Sequence, residues 1–133
     1  MTVAVAHQVS STSRIALAEA VREAAMRQTD LAVLHVVESL DLDIAAANRS
    51  GISDEVERVL SDTGLSVAWE LHLATGEENV ASAILSLVDD VRADMLVIGA
   101  RRRSPVGKFL LGSVTQTLIL QAGLPVLVVK DHG

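Results

Sequence analysis

The chain has 133 residues, half of them apolar and 21% charged, and a formal net charge of −6. This length and apolar content predict one folded domain over residues 1–133 and exclude a disordered chain, and the lack of cysteine excludes disulfides and thiolate sites. Net negative charge disfavours nonspecific nucleic-acid binding, and no apolar run reaches the roughly 18 residues of a membrane span. We therefore expect a soluble, cytoplasmic protein with neither a nucleic-acid nor a membrane partner.

Apolar runs rich in β-branched residues alternate with stretches of helical period along the chain. Strands are predicted over residues 2–6, 31–37, 65–73, 94–100 and 125–130, and helices over 10–30, 79–93 and 113–123. Five strands alternating with helices predict an α/β fold in which an open, five-stranded, mostly parallel sheet carries helices on both faces.

Residues 38–61 are the weak part of this pattern. The stretch SLDLDIAAANRSG (39–51) has no sustained period and is interpreted as a mobile loop. The following SDEVERVLSDTG (53–64) is predicted to form only a short helix.

The loops after the first and fourth strands are the predicted ligand-binding region, because open parallel sheets bind ligands past the carboxyl ends of their strands. Gly99 lies at the end of the fourth strand, a loop is predicted after it, and Gly112 and Ser113 open a helix whose amides and dipole favour an anion. The alternative to an anion site is that Gly99 and Gly112 serve only as turn residues. The arginines 101–103 either bind phosphate oxygens or form a solvated loop on an acidic protein.

The sequence lacks residues that several catalytic and metal-binding motifs require. A Walker A loop around Gly107 and Lys108 would need glycine at Arg102 and a hydroxyl residue at Phe109. Four histidines, at positions 7, 35, 72 and 132, show no short metal-ligand spacing, and His35 is interpreted as a structural residue of a buried strand. We assign no catalytic and no metal-binding residue, and the sequence favours a binding module over an enzyme.

The run GARRRSPVGKFLLGSVTQTLILQAGLPVLVVK, together with LAVLHVVE and GEENVASAILSLVDDVRADMLVIG, resembles the universal stress protein family over the whole chain. The nucleotide-binding branch of that family carries Gly, two residues, Gly, nine residues, Gly, then Ser or Thr. Gly99, Gly112 and Ser113 match this pattern, but Arg102 stands at the middle glycine. Gln8 stands where ATP-binding members carry an aspartate that contacts the nucleoside. The resemblance implies an adenine nucleotide alpha hydrolase-like, Rossmann-like fold.

The resemblance further implies a stress-response module that binds ATP or another adenine nucleotide between the ends of the first and fourth strands, and at most a slow ATPase. Val36 corresponds to the residue that packs against the adenine. The implied binding residues are Ala6, Gln8, Val36, Ile98, Gly99, Arg101, Arg102, Arg103, Gly112, Ser113, Val114 and Thr115. The nucleotide's identity and the need for magnesium stay open.

The last strand is the predicted partner surface. An apolar strand at a sheet edge is an exposed template unless something covers it, and the resemblance implies a homodimer through this edge. The expected interface residues are Val126, Leu127, Val128 and Val129. The alternative function is a homodimeric interaction or regulatory protein of the same fold that binds no nucleotide, with a further protein partner left unidentified.

Overall fold

The computed structural model describes residues 1–7, 11–37, 42–76, 79–102, 109–110 and 112–131. Strands and helices alternate along the chain, as predicted. The elements are β1 (Thr2–His7), α1 (Ser11–Arg27), β2 (Asp30–Val37), α2 (Leu42–Thr63), β3 (Trp69–Thr75), α3 (Val80–Val91), β4 (Met95–Arg102), β5 (Phe109–Leu110), α4 (Ser113–Gln121) and β6 (Val126–Asp131).

The five long strands form one parallel sheet in the order β3-β2-β1-β4-β6. The two-residue β5 is added antiparallel to the end of β4. The predicted five-stranded, mostly parallel α/β sheet is therefore confirmed. From β1 the chain builds outward through β2 and β3, then crosses to the other side of β1 for β4 and β6, so the strand order reverses between β1 and β4.

Alternate residues of each strand face two separate apolar cores. Val3, Val5 and Val33 pack with helices α1 and α2 on one face of the sheet. Ala4 and Leu34 pack with α3 and α4 on the other. Because both faces are covered, the central strands are mostly apolar, and this is why they stand out as short apolar runs in the sequence.

Residues 42–63 form one helix of 22 residues. The loop predicted over 39–51 is therefore wrong from Leu42 onward, and the short helix predicted within 53–64 is only the second half of this longer one. Ile52, Val56 and Val59 supply the buried stripe, and these lie only in the second half of the helix. The first half is largely exposed, with Ile44 at 51%, and therefore has no apolar period to detect.

The start of β3 and the end of β4 are among the strand boundaries that differ from prediction. β3 begins at Trp69 rather than Leu65, because its pairing with β2 begins at the Leu31↔Trp69 register. β4 continues past Gly99 to Arg102, since β6 pairs with it as far as Arg101↔Asp131 and β5 pairs with its last two residues. The backbone of Arg101 and Arg102 is therefore strand, where the sequence predicted loop. No helix in the described part of the chain is long and apolar enough to cross a membrane.

Candidate functional site

The carboxyl ends of β1 and β4 separate at the point where the strand order reverses. Their pairing stops at Val5↔Val97, whereas β1 continues beside β2 to His7↔His35 and β4 continues beside β6. Two adjacent strands that part in this way leave a crevice at their carboxyl ends, which is where open α/β sheets bind ligands. We call this crevice the switch-point cleft.

Four of the predicted binding residues share one apolar cluster on the α3/α4 face of the sheet. Ile98 belongs to its buried part, and Ala6, Val36 and Val114 are partly exposed residues packed against it. Ile98 is only 2% exposed, so it supports this wall from beneath and offers a ligand little surface. The three partly exposed residues are the ones that could contact a ligand directly.

Helix α4 begins beside this cluster with no side-chain cap. Its N-cap is Gly112, with extended backbone (φ −64°, ψ 160°), and it makes no capping side-chain hydrogen bond. The Gln116 amide donates to the Gly112 carbonyl at 3.0 Å, and the helical amides of Ser113, Val114 and Thr115 precede that bond. Ser113 is exposed and Val114 and Thr115 are half-buried. Uncapped amides at the positive end of a helix dipole are suited to bind an anion.

The structure describes some of the remaining predicted site residues and not others. Gly99 is half-buried within β4, and the backbones of Arg101 and Arg102 lie at its end. Gln8 and Arg103 lie outside the described residues. The structure thus brings the apolar residues and the α4 N-terminus to one region, and the contacts of Gln8 and the arginine side chains remain predictions.

Gly76 lies directly behind Val36 and was missed by the sequence analysis. Its amide donates to the Val37 carbonyl at 3.3 Å, which brings the chain after β3 against the end of β2. A Cβ at position 76 would lie 2.5 Å from Val36 Cγ1 and 3.1 Å from Val80 Cγ2. Only glycine permits this approach without moving Val36, so Gly76 helps to fix one wall of the cleft.

A buried group of polar side chains lies under the strand ends, on the opposite face of the sheet. His7 Nε2 is 2.8 Å from Glu55 Oε2, and His35 Nδ1 is 3.0 Å from the His7 carbonyl oxygen and 3.4 Å from His7 Nδ1. The two rings meet edge to face, with centroids 5.4 Å apart. His7 and His35 are 3% and 7% exposed. Helix α2, predicted as a loop over much of its length, supplies Glu55.

The acceptors around these rings determine where the protons lie. A carbonyl oxygen only accepts, so His35 Nδ1 carries a hydrogen that it donates to His7. The Glu55 carboxylate likewise accepts from His7 Nε2, which leaves the His7 Nδ1 lone pair facing the His35 Nδ1 hydrogen. The His35 Nδ1 hydrogen therefore faces two acceptors of His7, its carbonyl oxygen at 3.0 Å and its Nδ1 at 3.4 Å. No set of three metal-ligating side chains is found within the described ranges.

Burial lowers the pKa of His35 below its ordinary value of 6.5; its hydrogen bond to the His7 carbonyl raises the pKa, and the repulsion that would arise between two protonated rings lowers it. The unfolded chain therefore binds a proton at this residue more readily than the folded protein. We expect the free energy of unfolding to fall as the pH drops below about 6.5 and to gain nothing from this residue above it. Urea unfolding at several values between about pH 7.5 and 5.5 gives the free energy of unfolding as a function of pH. The fall of this free energy with acidification should be shallower in His35→Gln. Equal slopes in the two proteins would contradict the assignment.

Neither histidine was assigned a role beyond structure, because sequence spacing alone does not bring them together. The two are 28 residues apart and meet only through the β1/β2 register. Two histidines at the ends of two predicted neighbouring parallel strands would have been a usable signal, but Glu55 comes from a helix whose docking has no counterpart in local sequence.

Two other hollows lined by described residues lie away from the switch-point cleft. One, of about 410 Å³, is lined by Thr2, Asp30, Trp69 and Asp90 near the amino ends of the strands. The other, of about 470 Å³, lies between the ends of α3 and α4 around Val88, Arg92 and Gly123. Neither is bordered by the carboxyl ends of the strands or by the N-terminus of α4.

A parallel sheet covered on both faces, with a cleft at its switch point, defines a doubly wound α/β protein. The family model of the universal stress protein family matches residues 1–130. A curated universal stress protein of Mycolicibacterium smegmatis is 37% identical over 131 residues, with 98% of each chain covered. The chain belongs to the universal stress protein family.

Solved structures agree with this assignment. A universal stress protein from Archaeoglobus fulgidus matches with a TM-score of 0.78 and 30% identity, over 98% of each chain. The structure of the universal stress protein from Archaeoglobus fulgidus in complex with dAMP matches with a TM-score of 0.72 and 26% identity, again over 98% of each chain. The fold is the adenine nucleotide alpha hydrolase-like fold of these neighbours.

Proposed function

We propose that this protein binds an adenine nucleotide in the switch-point cleft and acts as a stress-response module. The observation that carries the proposal is the combination of an apolar wall, formed by Ala6, Val36 and Val114, with the uncapped N-terminus of α4. An adenine ring needs apolar surface, and a phosphate needs amide donors and positive potential. The dAMP bound by the Archaeoglobus fulgidus relative supports the same ligand class.

In this proposal different residues contact the adenine, the ribose and the phosphate. Val36 packs against the adenine, and Ile98 and Gly99 form the strand beside it. The amides after Gly112, with the hydroxyls of Ser113 and Thr115, bind phosphate oxygens. Gln8 binds a ribose hydroxyl.

Arg101, Arg102 and Arg103 add charge-assisted contacts to phosphate, in the place of the family's middle glycine. The backbone of Arg102 is strand and paired with Phe109, so arginine at this position carries no penalty for positive φ. Binding therefore does not require the glycine.

The experiment that tests the proposal is mass spectrometry of small molecules released by mild denaturation of the purified protein, followed by calorimetric titration of ATP and AMP into the stripped protein. We expect a stoichiometric adenine nucleotide or a micromolar affinity. If no ligand is released and ATP, ADP, AMP and cyclic AMP give neither heat nor a thermal shift, the proposal is wrong and the family's interaction role without nucleotide takes its place.

We also propose that the protein forms a homodimer through β6. This strand pairs with β4 along one side, and no other described strand pairs with its second side. Val126, Leu127, Val128 and Val129 are half-buried and pack against both cores, so what the edge offers a partner is mainly its backbone. Light scattering after size exclusion should give about twice the 14.0 kDa of one chain. A mass of one chain at high protein concentration would contradict the dimer.

A further inference from the structure

The end of β1 forms one wall of the switch-point cleft and is paired within the sheet on one side only. Its pairing with β4 stops at Val5, so Ala6 and His7 are held by β2 alone. A strand end with one ladder opens more easily than the centre of a sheet. A fixed wall at this point therefore needs support from outside the ladder.

Glu55 and His35 supply such support, and both act on His7. Glu55 of α2 accepts from the His7 ring at 2.8 Å, and the His35 ring donates to the His7 main-chain carbonyl at 3.0 Å. The His7 side chain is 1% exposed. Losing either partner would leave a buried polar group unsatisfied, which costs more than an ordinary surface hydrogen bond.

We propose that Glu55 and His35 are positioning residues of the switch-point cleft, which fix the end of β1 through His7 and thereby set the affinity for an adenine nucleotide. This inference rests on the proposed function. Both side chains lie on the α1/α2 side of the sheet, whereas the apolar wall lies on the other side. They therefore act through the main chain of β1 and touch no ligand.

The arrangement also makes this support sensitive to protons. A second proton on His35 would place a charge on a ring that is 7% exposed and only 3.4 Å from His7 Nδ1, and burial disfavours that charge. Among the described residues, the titratable groups facing His35 and His7 are each other and Glu55; the β3 neighbour of His35 is Leu73, and Asp54 and Arg58 of α2 are exposed. Acid should therefore loosen the end of β1 and weaken nucleotide binding.

The test compares three variants of the full chain by calorimetric titration of AMP. Glu55→Leu removes the acceptor and should weaken AMP binding about tenfold. Glu55→Gln keeps an acceptor oxygen on a side chain of the same length and should stay within about twofold of the native protein at neutral pH. Glu57→Leu, at an exposed position of the same helix, should bind like the native protein. Native-like binding by Glu55→Leu would overturn the proposal.

The pH profile of AMP affinity separates positioning from a merely structural role. In His35→Gln the side-chain amide can still donate to the His7 carbonyl but cannot take up a second proton, so the loss of AMP affinity on acidification should be smaller than in the native protein. The phosphate of AMP titrates alike in every variant and cancels from the comparison. If Glu55→Leu does not fold, this profile decides: an unchanged profile overturns the proposal.

The proposed function and this inference fail in different ways. If the native protein binds neither AMP nor ATP, the proposed function is wrong, and amide hydrogen exchange of residues 4–7 then tests the support directly. Faster exchange there in Glu55→Leu than in Glu57→Leu would uphold Glu55 as the support of β1, and equal exchange would overturn it. If the native protein binds and Glu55→Leu binds equally well, only the positioning role is wrong.

Discussion

Replacing Ser113 with aspartate is expected to weaken adenine nucleotide binding by about tenfold or more while leaving the folded protein slightly more stable. Ser113 is the exposed first residue of α4, behind a glycine N-cap that offers no side chain. A carboxylate there complements the helix dipole by about 0.3–1 kcal/mol, but it would face the phosphate across a few ångströms. The two effects have opposite signs, so simple damage to the fold cannot imitate the result.

The matched control is Ser113→Asn, because the asparagine side chain has nearly the same shape as aspartate and carries no charge. We expect it to keep most of the affinity. The loss in the aspartate variant should shrink as salt is raised, because the repulsion is between partly exposed charges. Calorimetric titration gives the affinities and urea unfolding gives the stabilities. Equal affinities for the two variants would mean that the phosphate does not lie at the N-terminus of α4.

Gly76→Ala is expected to destabilise the protein by about 1–2 kcal/mol and to weaken nucleotide binding. The added methyl would lie 2.5 Å from Val36 Cγ1, and valine is too stiff to move away cheaply. Overpacking of this kind costs about 1–3 kcal/mol. This overpacking cost outweighs the roughly 0.4–1 kcal/mol by which alanine stabilises the protein through restricting the unfolded chain. The displaced Val36 would also alter the cleft.

Gly51→Ala is the control for that substitution. Gly51 lies within α2, is exposed, and has no atom within 4 Å of an added Cβ. Alanine there should stabilise the protein by about 0.5–1 kcal/mol, since glycine is a poor helix residue. Urea unfolding compares the two variants. The steric account of Gly76 is wrong if both substitutions change stability in the same direction by the same amount.

The fold was predictable because its signals are local. Each buried strand is a short run of β-branched residues, and α3 carries a clear apolar stripe with Asn79 as its N-cap. The first half of α2 was not predictable in this way, because its residues face solvent and the buried stripe begins only at Ile52. The extension of β4 to Arg102 likewise depends on pairing with β6 and β5.

The candidate site was predictable only where a motif marks it. Gly112 and Ser113 stand out because a helix follows them, and Val36 because of the resemblance. The support at His7 depends on the register of two strands and on a helix docked over them, and Gly76 matters because of a contact with Val36 across the fold. Contacts of this kind arise from tertiary packing and leave no pattern in the neighbouring sequence.

The most direct test of the central claim is a map of amide chemical shifts during titration of AMP into the stripped, isotope-labelled protein. If AMP binds in the switch-point cleft, saturable shifts should centre on Ser113, Val114 and Thr115 and on Val36. Shifts centred instead on the hollow around Val88 and Arg92, or no shifts at all, would contradict nucleotide binding at the switch-point cleft.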